Sequence, residues 1–222
     1  YIKDDIFKEH RVEHQLRILD KLFHKYNKDN ARPSIVGIDI NHIIKKFPIE
    51  NDYIVMCPTN SHVGNQNHRG YRSWPDNNWK DLISRVLSET SLNIFLVGDK
   101  NEKKYFNNFY PLQKGLYDLS GETTIPELIT IMENSKCVVA TDSGSAHIAG
   151  AVAKNIISIH GPTNFYQSAP YSTKYNNVKV ATLNLKCSPC YDTEVIKNCK
   201  NNICMQDLNA ETVMGLMAEL SL

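Results

Sequence analysis

Thr141-Asp142-Ser143-Gly144-Ser145 stands between an apolar run, Cys137 to Ala140, and a small-residue segment, Ser145 to Ala153. A second apolar run, Ile156 to Ile159, follows and closes on His160-Gly161-Pro162. That order predicts strand, tight turn, short helix and strand, one βαβ unit of a parallel sheet. At such a turn the first helical N–H groups lack partners and the dipole is positive. Ser143 and Gly144 therefore suit an anion, most often a phosphate; a turn that only caps its helix is the plain alternative. Asp142, His147, His160, Arg72 and Glu102 also fall near predicted strand ends. Cations and N–H donors suit phosphates, and carboxylates suit hydroxyls, so the set points to a nucleotide or sugar-phosphate. Glu102 could equally cap a helix start, and His147 could be a packing imidazole. No Gly-rich Walker loop precedes Asp142, and no G-x-G-x-x-G follows a strand, which disfavours ATP hydrolysis and nicotinamide chemistry.

A second set of chemical groups is Cys187, Cys190, Cys199 and Cys204, spaced C-x2-C-x8-C-x4-C. Four thiolates so close could hold structural Zn or Fe and staple a polar stretch. Two disulfides or free structural thiols are the alternatives. Four Cys ligands would leave no open metal position, so the role would be structural. Cys57 and Cys137 lie in apolar runs, where a buried free thiol needs no special explanation.

The elements that must position these groups follow from periodicity. Val12, Leu16, Leu19, Leu22, Phe23 and Tyr26 share one face of an amphipathic helix. His10 and His14 fall on its polar side and are expected to be solvated. Asp29 to Pro33 reads as a turn, and Ile35 to Ile40 as a strand leading through Pro48. Tyr53 to Cys57 is a buried-type strand that stops at Pro58. A polar loop, Thr59 to Pro75, becomes basic at His68, Arg69 and Arg72, where ligand contacts are usual. Pro75 suits the first turn of a helix burying Trp79, Leu82, Ile83, Val86 and Leu87. Asn93 to Val97 and Leu116 to Leu119 read as strands. Thr124, Pro126 and Glu127 then start a helix. Val178 to Leu183 is a last strand and Ala210 to Leu220 a last helix. Repeated strand–helix pairs from about residue 50 spell a Rossmann-like parallel α/β sheet with helices on both faces.

The 222 residues suffice for one domain and part of another. With 25 basic and 24 acidic side chains the net charge is +1, so nothing argues for a nucleic-acid partner. No run approaches a membrane span and no signal-peptide pattern is visible. The first residue is Tyr rather than Met, which suggests polypeptide missing upstream.

The segment "TDSGSAHIAGAVAKNIISIHGPT", Thr141 to Thr163, resembles the nucleotide-sugar-binding segment of the ADP-heptose:lipopolysaccharide heptosyltransferases, glycosyltransferase family 9. "RSWP" (Arg72 to Pro75), "VGDKNE" (Val97 to Glu102), "GETTIPEL" (Gly121 to Leu128) and the "CSPC…CM" tail (Cys187 to Met205) agree in order and spacing. The resemblance implies one half of a GT-B enzyme: residues 49–222 as the donor domain and residues 1–48 as a linking segment. It implies that Ser143 and Gly144 donate N–H bonds to a diphosphate, with Ser145 in the same turn. Asp142 would hold sugar hydroxyls, His147 would complete the turn, and Arg72 would replace a usual Lys near the phosphates. Glu102 would bind ribose hydroxyls, and Thr123 and Thr124 would flank the base. The implied donor is ADP-heptose or a similar nucleotide sugar, and the acceptor a lipopolysaccharide-core or protein hydroxyl. No catalytic metal is implied. Nothing matches the family's N-terminal acceptor domain with its general base, so this chain is expected to bind donor and to need that domain for transfer. A cytoplasmic protein is expected, with peripheral association of the full-length enzyme at the inner membrane face. A non-catalytic α/β module, or an enzyme like a sugar-nucleotide epimerase, are the rival classes.

Overall fold

The computed structural model of the chain describes residues 8–23, 33, 35–47, 49, 51–59, 70–103, 106 and 113–222. Among them, one sheet contains β1 (Tyr53–Cys57), β2 (Asn93–Leu96), β3 (Leu116–Asp118), β4 (Cys137–Thr141), β5 (Asn155–Ile159) and β6 (Asn177–Ala181). The helices are α1 (Arg11–Phe23), α2 (Ile40–Lys46), α3 (Asp76–Glu89), α4 (Ile125–Glu133), α5 (Gly144–Val152), α6 (Phe165–Ser168), α7 (Glu194–Lys197), α8 (Ile203–Gln206) and α9 (Ala210–Glu219). All neighbouring strands run parallel, in the order β3-β2-β1-β4-β5-β6. The expected Rossmann-like fold is present.

β1, β4 and β5 are buried at every position, as expected for strands covered on both faces. Their side chains alternate between two cores. Ile54, Met56, Val139 and Ile157 pack with Trp79, Leu82, Val213 and Met217 from α3 and α9. Val55, Val138, Ala140 and Ile156 pack with Ile43, Ile131, Ala146 and Ala149 from α2, α4 and α5. The small residues of α5 allow close approach: a Cβ on Gly150 would lie 3.0 Å from the Pro170 Cβ.

Two expectations near the N-terminus need correction. Ile35 to Ile40 is not a strand; α2 begins at Ile40 and the residues before it are irregular. The reason lies in Thr130 of α4, whose hydroxyl accepts from the Ile38 N–H at 2.7 Å and donates to its carbonyl at 2.9 Å. Those are the groups a sheet ladder would need. Asp39 then accepts from the Asn41 N–H at 2.9 Å and starts the helix.

His10 is not solvated. Its Nε2 donates to the Ala169 carbonyl at 2.8 Å, while Nδ1 accepts from the Val12 N–H at 3.1 Å. The ring lies 4.9 Å from that of Tyr171, whose hydroxyl donates to Glu13. His14 stays near the surface beside Glu9 at 3.5 Å. α1 has the expected amphipathic pattern but no buried residue, and Leu22 and Phe23 are exposed. Tyr26, His68 and Arg69 lie outside the described residues.

The predicted start of α4 is a complete capping box. Glu127 Oε2 accepts from the Thr124 N–H at 2.7 Å, and its other oxygen accepts from Lys46 of α2 at 2.7 Å. The bond from Lys46 and those from Thr124 hold the Glu127 pKa at about 2, against an ordinary 4.5. A lowered carboxylate pKa stabilises the fold fully above 4.5, and that stability is lost as pH falls toward 2. Glu127→Ala is therefore expected to cost about 1–2 kcal/mol at neutral pH, chiefly as a lost cap. The gap from the unsubstituted protein in urea melts should close as the pH drops through this window; equal midpoints at pH 7 would refute the role.

Candidate functional site

Strand order reverses direction at β1, since β2 and β3 lie on one side of it and β4 to β6 on the other. In parallel α/β sheets a crevice opens at the carboxyl ends of the strands at this switch point. The Asp142-Ser143 turn leaves β4 there, with Ser143 as the N-cap residue of α5.

Arg72 reaches the same place from the loop before α3. Two residues on, buried Trp74 donates its indole N–H to the Leu208 carbonyl at 2.6 Å and packs edge-on to Trp79 at 4.9 Å. On the other side, Asn202 donates to the Tyr71 carbonyl at 3.2 Å. Thus anchored, the Arg72 Nη1 lies 3.5 Å from the Asp142 carboxylate, with the side chains 20 % and 9 % exposed. The guanidinium also lies 5.3 Å from the centre of the Tyr191 ring. Arg72 Nε and Ser143 Oγ are both buried without a hydrogen-bond partner among the described residues. Unsatisfied buried polar atoms are costly, and a guanidinium N–H and a hydroxyl that each lack a partner are suited to an anion.

Arg72, Asp142 and His147 line one cavity of ≈ 450 Å³, within the range of small-ligand sites. Partial desolvation lowers the His147 pKa; nearby Asp142 opposes this, while His10 and Arg11 add to it. Ser145 turns away: its hydroxyl is hydrogen-bonded to the Cys57 thiol, which burial pushes up to about 12. A Cβ on Gly144 would meet nothing within 4 Å, so one side of this turn is open to an approaching group.

Glu102, Thr123 and Thr124 do not line the cavity. Glu102 accepts from the Asp99 N–H at 2.7 Å, closing the turn after β2, and Thr124 caps α4. The two loops are tied together by Gly121 N–H donating to the Gly98 carbonyl at 2.8 Å and by a Lys103–Glu122 ion pair at 2.9 Å. They form a separate group on the β2–β3 side of the switch point.

His160 is buried and bridges Ser158 and Thr163 at 2.9 and 3.0 Å, thereby fixing Thr163 in the cavity wall. Burial lowers its pKa from 6.5 to about 4. The unfolded chain binds a proton first, so stability is full above 6.5 and declines as pH falls toward 4. His160→Asn is expected to flatten this part of the stability–pH curve in denaturant titrations between pH 7 and 4; an unaltered slope would count against it.

Sequence reasoning missed Arg11, Asn164, Tyr191 and Thr193, which also line the cavity. Tyr191 and Thr193 come from the cysteine-bearing segment, so that segment is a wall of the site. It is seated by fully buried Met205, worth about 1.5–3 kcal/mol, which lies so close to Gly161 that a Cβ there would fall 2.5 Å from its sulfur. All six cysteines are free thiols. Burial and the neighbouring Cys190, Cys199 and Cys187 raise the Cys204 pKa to about 11. Among the described residues no three His, Cys, Asp or Glu side chains are arranged to hold a metal. The four cysteines are thus neighbours without forming a ligand set, and no metal is assigned to them.

The family model of glycosyltransferase family 9 (heptosyltransferase) matches residues 2–200. The chain belongs to this family. A family 9 relative, lipooligosaccharide heptosyltransferase 2 of Campylobacter jejuni serotype O:6, is 31% identical over 128 residues, 55% of this chain and 39% of its own. The family 9 glycosyltransferase of Veillonella parvula aligns over 96% of this chain and 60% of its own, with TM-score 0.72 and 14% identity. Iron-containing heptosyltransferase TibC of enterotoxigenic E. coli, in complex with ADP-D-beta-D-heptose, aligns over 78% and 46%, with TM-score 0.56 and 13% identity. Both structures share the fold, and all three proteins extend well beyond the stretch that this chain matches.

Proposed function

We propose that this chain is the donor-binding half of a family 9 glycosyltransferase whose donor is ADP-heptose or a closely similar nucleotide-diphospho sugar. The observation that carries this reading is Arg72, with its Nε unsatisfied, lining one cavity with Asp142 and His147 beside the N-terminus of α5, whose N-cap Ser143 also has an unsatisfied hydroxyl. Arg72 and the N–H groups of Ser143 and Gly144 hold the diphosphate, and Asp142 faces the sugar hydroxyls. His147 closes the turn, and Ser145 supports it from below. The nucleoside extends across the switch point, its ribose toward Glu102 and its base toward Thr123 and Thr124. Families of donors are suggested by the names of the relatives, which are heptosyltransferases.

In the proposed reaction an acceptor hydroxyl of a lipopolysaccharide core or a protein attacks the anomeric carbon. The bond from that carbon to the diphosphate oxygen breaks, and its electron pair leaves with the diphosphate. Arg72 and the helix N–H groups stabilise that developing charge, without calling on a metal. A general base on polypeptide beyond residues 1–222, in an acceptor domain, takes the hydroxyl proton. Residues 1–48 link the two domains. No helix among the described residues is long and apolar enough to cross a membrane; the full-length enzyme is proposed to act in the cytoplasm, peripherally at the inner membrane face.

Calorimetric titration with ADP, UDP, ADP-heptose and UDP- and GDP-hexoses tests the reading. One sugar nucleotide should bind more tightly than its bare nucleotide. Silence across the whole set would overturn the donor assignment and favour a non-catalytic module.

A further inference from the structure

We propose that Arg11 is a second cation for the donor diphosphate, so that the helix ahead of the Rossmann-like domain is part of the donor site. This inference rests on the donor reading above. Arg11 lines the same cavity as Arg72, Asp142 and His147, and its charge is felt at the His147 ring. Among the described residues no carboxylate pairs with it. Of the nearby acids, Asp142 is engaged with Arg72, Glu13 with Tyr171 and Glu9 with Arg17 at 2.8 Å, while Asp192 shares the cavity lining without an ion pair to Arg11. Arg11 also opens α1, where the first-turn amides already carry positive charge and a cation is disfavoured. Its place is therefore not explained by helix stability.

The residues on either side hold it there. His10 donates to the Ala169 carbonyl and packs at a tilt against Tyr171, and Glu13 accepts from the same Tyr171. The 169–171 segment follows α6, whose Gln167 and Ser168 line the cavity. A helix with no buried residue is thus fastened at the turn that carries Arg11 to the cavity. Asp142 and Asp192 both line the cavity with Arg72, so a doubly charged diphosphate needs the further counter-charge that Arg11 supplies.

The test is calorimetric binding of ADP and AMP to the unsubstituted chain, Arg11→Gln and Arg11→Lys. Arg11→Gln should lose about tenfold in ADP affinity, the value of one charge-assisted contact, and clearly less for AMP. Arg11→Lys should recover part of the loss. Because Arg11 is exposed, melting temperatures should agree among the three. Unchanged ADP affinity in Arg11→Gln, or equal losses for ADP and AMP, would overturn the role of Arg11 while leaving the donor site standing. Failure of the unsubstituted chain to bind either nucleotide would instead overturn the donor reading, and this inference with it.

Discussion

Arg72→Gln is expected to lower affinity for ADP by about 10- to 100-fold, the loss of one or two charge-assisted hydrogen bonds from a largely desolvated site. Glutamine keeps hydrogen-bonding capacity and much of the volume, so the loss reports charge. It should also lower stability, because Asp142 would stay buried with its cation gone. A fully buried pair broken in this way costs about 3–5 kcal/mol, and the 3.5 Å separation and 20 % exposure of Arg72 place the cost well below that. Arg72→Lys separates the two contributions. Lysine restores the charge but neither the planar fork nor the stacking on Tyr191 at 5.3 Å. ADP affinity should fall in the order unsubstituted, Lys, Gln. If Arg72→Gln bound ADP as well as the unsubstituted chain, the phosphate assignment would be wrong at its centre.

The sheet was legible in the sequence because strands buried on both faces are continuous apolar runs, as in "YIVMC" and "CVVAT". The start of α4 was legible for a different reason: the Thr124 and Glu127 box is satisfied within one turn and needs no distant partner. Ile35 to Ile40 misled because the decisive bonds to Ile38 come from Thr130, a residue 92 positions away. His10 misled likewise: a residue on the polar side of a helix reads as solvated until a distant carbonyl, that of Ala169, accepts its N–H. Arg72, Asp142 and His147 drew attention because each belongs to a local sequence motif, and the structure brings them into one cavity. Arg11 and Tyr191 carry no such local mark. The cysteine spacing drew attention to the right segment, but to its sulfur atoms rather than to the aromatic face between them.

Asp142→Ala should separate sugar recognition from nucleotide recognition more sharply than any other substitution. On the proposed reading Asp142 is a liability against bare ADP, since its carboxylate would lie beside the phosphates and is paired with Arg72. Its removal relieves repulsion and frees the guanidinium, so ADP affinity should hold steady or rise slightly. Against ADP-heptose the carboxylate would, on the same reading, also accept from sugar hydroxyls, and charged acceptors contribute about 1.5–3 kcal/mol each. Affinity for the sugar nucleotide should fall by about tenfold or more, removing most of its advantage over ADP. Asp142→Asn refines the result, because its amide oxygen still accepts but carries no charge. It should bind ADP like the Ala variant and recover part of the sugar contact. Equal losses for ADP and ADP-heptose in Asp142→Ala would mean that the carboxylate serves only to hold Arg72, and the sugar would have to be placed against another wall of the cavity.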